Sequence, residues 1–132
     1  MKTLKKIGIW MDHANAHLIE FTDEVKPTQT ISVDFDNQDK EETLQRSESE
    51  MHNKQQQKQL AFYKKLGANI TDFDEVVLFG PTEAKTELLN LLRKDHQFDN
   101  IKIEVLNADK LSEKQQHEFV DEYFKRFDVK TL

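Results

Sequence analysis

The chain has 132 residues, enough for one domain with a real core. Only 36% are hydrophobic and the formal charge is −6, with a mean hydropathy of −0.79. One part of the chain must therefore be far more polar than the rest, and a fold that grips nucleic acid by bulk charge is excluded, so no DNA partner is expected. The absence of cysteine rules out disulfides, thiolate metal sites and cysteine nucleophiles.

No apolar run approaches the roughly 18 residues of a membrane span, so no membrane partner is expected. The basic start at Lys2, Lys5 and Lys6 runs into an apolar stretch that Asp12 and His13 cut short. It is not read as a signal peptide, and a cytoplasmic location is the expectation.

Ile7 to Met11 is a compact apolar strand, and Asp12 to Asn15 supply turn residues. Ala16 to Phe21 form a second strand, and the short link predicts an antiparallel hairpin. Residues 28–35 alternate, with Ile31, Val33 and Phe35 on one face, which predicts a half-buried third strand.

Between residues 36 and 59 only Leu44 and Met51 are clearly apolar. Such a stretch cannot bury enough surface to hold itself in a core. It is expected to be a polar loop that becomes a projecting helix near Met51 or His52. Leu60, Tyr63 and Leu66 recur at helical spacing, so the helix should dock from about Gln59 and stop at Gly67.

Val76 to Phe79 are four apolar residues in a row, the pattern of a strand buried on both faces. Gly80 permits a sharp turn, and Pro81 suits the first position of a helix. That helix, from about Thr82 to Asp95, places Ala84, Leu88, Leu91 and Leu92 on one face. Ile101 to Leu106 alternate as a fifth strand. Ser112, in competition with Asp109, caps a last helix whose stripe is Phe119, Val120, Tyr123, Phe124 and Phe127.

The predicted order is βββαβαβα within a single domain spanning 1–132. Three strands on short links should be antiparallel, and the two reached through helices parallel. The fold class is therefore α/β: a five-stranded mixed sheet with helices on both faces, the order of the ribonuclease H-like folds.

Chemistry is sparse. A two-metal nuclease needs several converging carboxylates, and only Asp12 stands where one such ligand would be. No metal and no cofactor are expected. Asp12 and His13 read better as a hairpin turn. His13 and His17 would approach each other only from opposite arms of the hairpin, as a surface pair too small for zinc. His117 and Asp121 are one helical turn apart, with solvated helix surface as the preferred reading.

Two stretches remain as binding candidates. At the start of the second helix, Thr82 and Lys85, with Asp12 on the same sheet edge, would suit an anion or nucleotide. Against this, Pro81 removes a donor and Glu83 already satisfies the helix dipole. In the polar segment, Arg46, Lys54, Gln55, Gln56, Gln57, Lys58, Lys64 and Lys65 make a local basic and amide-rich ridge able to meet phosphate or a partner surface despite the net charge.

Three motifs carry a resemblance: Trp10-Met11-Asp12-His13 with Ala16, the junction Leu78-Phe79-Gly80-Pro81-Thr82-Glu83-Ala84-Lys85, and Ala108-Asp109-Lys110-Leu111. Together they resemble a group of small bacterial proteins similar to the central domain of archaeo-eukaryotic peptide-chain release factors and of the ribosome-rescue factor Pelota. The resemblance implies a ribonuclease H-like fold and a place in translation. The release factors carry Gly-Gly-Gln between the third strand and first helix, where it helps position a water for ester hydrolysis. Here the matching region, Ser47 to Gln59, contains no glycine, so no catalytic residue carries over. The Pelota central domain also lacks that motif.

The expectation is a non-enzymatic domain whose partner is the ribosome or ribosomal RNA. An anion- or nucleotide-binding domain is the first alternative, and a homo-oligomer formed through the polar segment the second.

Overall fold

The structure, a computed structural model, describes residues 4–22, 27–33 and 48–131, without the side chains of 48–55 and 126–131. The elements run β1 (Lys6–Met11), β2 (Asn15–Phe21), β3 (Gln29–Ser32), α1 (Glu48–Ile70), β4 (Glu75–Gly80), α2 (Ala84–Arg93), a 3-10 helix (His96–Phe98), β5 (Lys102–Asn107) and α3 (Glu113–Thr131). They form one five-stranded sheet in the order β3-β2-β1-β4-β5. β1 pairs antiparallel with β2, and β2 with β3. β4 pairs parallel with β1 on one side and with β5 on the other. This is the mixed α/β topology that the sequence predicts.

Successive side chains of a strand point to opposite faces, and each face has its own core. Ile7, Ile9 and Met11 of β1, with Val76 and Leu78 of β4, pack against Phe62, Leu66 and Ile70 of α1 and Leu88 and Leu92 of α2. The intervening Trp10, Val77 and Phe79 pack against Val120 and Phe124 of α3. The unbroken apolar run of β4 is the result: both of its faces are covered.

Three helix boundaries differ from the sequence reading. α1 does not stop at Gly67 but continues to Ile70. Gly67 is buried within it, and a Cβ there would stand 3.1 Å from Leu92 Cδ2 and 3.3 Å from Phe98 Cζ. The glycine serves close helix packing rather than termination. α1 also begins earlier than expected, at Glu48. α2 begins at Ala84, with Glu83 in the capping position, so Pro81 and Thr82 lie in the turn before the helix rather than inside it.

Other boundaries follow the sequence. Ser112 accepts from the Gln115 backbone N–H at 3.2 Å, and the Gln115 carboxamide accepts from Ser112 N–H at 2.9 Å. This reciprocal pair satisfies the open end of α3. Ile31 is buried and Val33 packs against the core. Phe35 and most of the expected loop, at 34–47, lie outside the described residues, as does the side chain of Phe127. Among the described residues no helix is long and apolar enough to cross a membrane.

Candidate functional site at the carboxyl edge of the sheet

β1 and β4 are parallel neighbours, with Trp10 aligned to Phe79. Their carboxyl ends therefore open side by side, and both chains turn there. Asp12 Oδ1 accepts from the backbone N–H groups of Ala14 and Asn15 at 2.8 and 2.7 Å. That closes the hairpin turn the sequence predicts and leaves His13 exposed at its tip. Gly80 has φ +155°, and a Cβ on it would stand 2.1 Å from the Met11 carbonyl oxygen. Only glycine meets both demands.

Beyond Gly80 the chain enters α2. Thr82 Oγ1 accepts from Ala84 N–H at 3.2 Å. The ammonium of Lys85 donates to the Thr82 carbonyl, and Lys85 is only 1% exposed. Thr82 and Lys85 thus brace the junction from within. The structure brings Asp12, Thr82 and Lys85 to one edge of the sheet, but the Asp12 carboxylate faces its own turn and Lys85 faces inward.

A different polar group occupies this edge. Glu87, in the first turn of α2, receives the Tyr63 hydroxyl of α1 on Oε1 at 2.7 Å. Its other oxygen, Oε2, lies 3.2 Å from His13 Nε2. Both His13 and Glu87 are about half exposed, at 46% and 48% of their side chains. The Tyr63 bond holds the Glu87 carboxyl below its ordinary range, with His13 adding to the effect and partial burial opposing it. Burial first, then the bonded carboxylate, push the Tyr63 hydroxyl well above its ordinary value. The arrangement ties α1, α2 and the β1–β2 turn together and presents an imidazole oriented by a carboxylate.

Sequence reasoning missed this group. Tyr63 reads as part of the docking stripe of its helix and His13 as a turn residue, and Glu87 is not singled out. The signal was a carboxylate in the first turn of a helix that starts at the same sheet edge as a histidine. The histidine pairing also differs from expectation. His13 turns to Glu87, whereas His17 turns to α3, where Nδ1 lies 2.8 Å from Gln116 Oε1. The hairpin separates them because His17 follows the face of its partner Trp10, on which it stacks at 5.2 Å. His117 is half-buried and its Nε2 lies 2.6 Å from Thr28 Oγ1, so it ties α3 to the chain before β3 instead of forming solvated surface with Asp121.

The second candidate surface is α1 itself. Its 23 residues make a rod of about 34 Å. Phe62, Tyr63, Leu66 and Ile70 are buried, so the docked face belongs to the carboxyl half. Gln56, Gln57, Lys64 and Lys65 are exposed and Lys58 is half-buried. Lys58 and Lys65 are seven residues apart and share a face of the helix. Lys54 and Gln55 lie on the same helix, with side chains outside the described residues, and Arg46 lies outside them altogether. Beside Lys64 a groove of about 710 Å³ runs between α1 and the end of α2, lined by Gly67, Leu91, Lys94, Asp95 and Phe98 among others.

Among the described residues no group of three or more histidine, aspartate and glutamate side chains is placed to hold a metal ion.

The order and pairing of these elements define a class, a small mixed α/β domain of order βββαβαβα. No family model matches the chain, and no curated protein matches it. Solved structures do. Pelota of Archaeoglobus fulgidus superposes with a TM-score of 0.58 at 10% identity, over 98% of this chain and 36% of that one. Pelota of Thermoplasma acidophilum gives 0.54 at 12% identity, over 89% of this chain and 32% of that one. The chain is therefore similar in fold to Pelota along nearly its whole length and spans about a third of the Pelota chains.

Proposed function

We propose that this chain is a translation-associated binding domain that contacts the ribosome or ribosomal RNA through the 46–65 segment. The observation that carries the reading is the shared fold with Pelota over 98% of the chain. The sequence motifs resemble the release-factor and Pelota central domain, and the backbone is similar in fold to Pelota. The motifs imply relatives among small bacterial proteins with the release-factor central fold, and the fold comparison supports that direction.

The shape of α1 supplies the contact. The helix is anchored by its buried carboxyl half, Lys64 and Lys65 are exposed, and Lys64 flanks a groove whose lining also includes Lys94. Lysines on a fixed helix can meet phosphate oxygens while the acidic remainder of the chain stays clear. The domain acts by binding and not by hydrolysis, because the region corresponding to Gly-Gly-Gln has no glycine. The test is sedimentation of cell extract through sucrose gradients, in growth and under stress. The reading requires the protein to travel with ribosomal particles in at least one condition. Retention at the top of the gradient in all of them overturns it.

A further inference from the structure

β5 is an edge strand, and the direction of its unpaired backbone can be read from its bonds to β4. Lys102 N–H donates to Asp74 O, and Ala108 N–H to Gly80 O. In a parallel pair alternate residues face the neighbour, so the even-numbered residues of β5 face β4. The N–H and C=O groups of Ile103, Val105 and Asn107 consequently point away from the sheet. Among the described residues no further strand lies beyond them.

The side chains make this edge apolar as well as open. Ile101, Ile103 and Val105 are only half-buried where they join the core under α2. A shallow hollow lined by Leu89, Leu92, Ile101 and Ile103 lies beside them. An edge of six residues without proline is a template for strand addition unless something covers it.

We propose that the cover is β5 of a second copy, paired antiparallel across a two-fold axis, giving one sheet continuous through both chains. The charges select both the occupant and the register. Lys102 and Glu104 lie two apart on the α3 side of the strand. The pleat restricts an antiparallel partner to registers that keep like faces together. When Ile103 lies opposite its own copy, Lys102 of each chain stands directly opposite Glu104 of the other. Shifting two residues along β5 one way sets Glu104 against Glu104, and the other way Lys102 against Lys102. Strand β5 is therefore self-complementary in one register and not in those beside it.

In that register the two Ile103 residues exchange both backbone hydrogen bonds, and each Val105 N–H meets the carbonyl of Ile101 in the other copy. Ile101 N–H is already bound to Phe98 O and needs no partner there. The Ile101, Ile103 and Val105 side chains of both copies then form one apolar strip that extends the core beneath α2. Glu104 Oε2 accepts from the Tyr123 hydroxyl, which fixes the carboxylate on the face where Lys102 of the second copy arrives. This surface is separate from α1 and does not depend on the translational reading.

Sedimentation velocity of the full chain over a concentration series tests the proposal with Lys102→Glu, Glu104→Lys and the double exchange. The wild type should dimerise. Each single variant, which sets like charges opposite each other twice in the symmetric pair, should weaken the dimer about tenfold or more, and the double exchange should restore it. A monomer at every concentration, a dimer indifferent to the single variants, or a double variant no tighter than the singles overturns the proposal. If a variant fails to fold by circular dichroism, amide exchange of the wild type decides. Ile103 and Val105 must gain protection as concentration rises, and unchanged exchange overturns the pairing.

Discussion

The Tyr63 hydroxyl donates to Glu87 Oε1 at 2.7 Å, so a bond between two helices stands at the carboxyl edge of the sheet. Tyr63 is buried and Glu87 half exposed, so solvent screens one end of it. Tyr63→Phe should therefore cost about 1 kcal/mol at neutral pH, read as a lower urea midpoint with an unchanged slope. An unaltered midpoint would show that the bond adds nothing.

The same bond sets an acid dependence. Glu87 is depressed in the folded chain below its ordinary value of 4.5. Its contribution is complete above the unfolded value and disappears as pH falls through the folded one. The stability difference between wild type and Glu87→Gln should thus shrink steadily below pH 4.5. A difference that stays constant from pH 7 to strongly acid conditions would contradict the account.

The alkaline side has the opposite sign. Tyr63 and Tyr123 are both held above the ordinary 10.0, each chiefly by burial and then by a bonded carboxylate. A raised value means stability that is fully present below pH 10.0 and lost as pH climbs beyond it. Tyr63→Phe should flatten part of that alkaline loss in urea titrations, and equal slopes for variant and wild type would refute it.

Lys85 separates a structural role from anion binding. It is 1% exposed and its ammonium holds the Thr82 carbonyl. Lys85→Ala should cost about 3 kcal/mol by leaving a cavity and an unpaired carbonyl, whereas Lys85→Met, which fills the space, should lose about half as much. Thermal shift with phosphate or nucleotides is the check. A phosphate-induced rise in wild-type melting temperature that Lys85→Met abolishes would reinstate the anion reading.

Much of the fold was legible because it rests on local rules. The alternation in β3 and β5, the double-sided run of β4 and the Ser112 cap all have causes within a few residues. Gly67 misled because a glycine late in a helical stretch serves termination and close packing equally well. Only Leu92 and Phe98, distant in sequence, decide between them. The Tyr63–Glu87–His13 group was illegible for the same reason. Its members come from three elements, and nothing local marks Glu87 as the residue that links the other two. The exposure of Lys64 and Lys65 was legible in the sequence, since it follows from the polar face of the helix on which they lie.

The proposed contact with the ribosome runs through α1. The most direct measurement is the fraction of protein that co-sediments with purified ribosomes, for wild type and for Lys64→Glu/Lys65→Glu, at low and moderate salt. The account predicts that wild type co-sediments, that salt weakens it as phosphate contacts require, and that the charge-reversed variant stays near the top of the gradient while its urea midpoint is unchanged. Equal co-sedimentation of wild type and variant, or none for either, would contradict it.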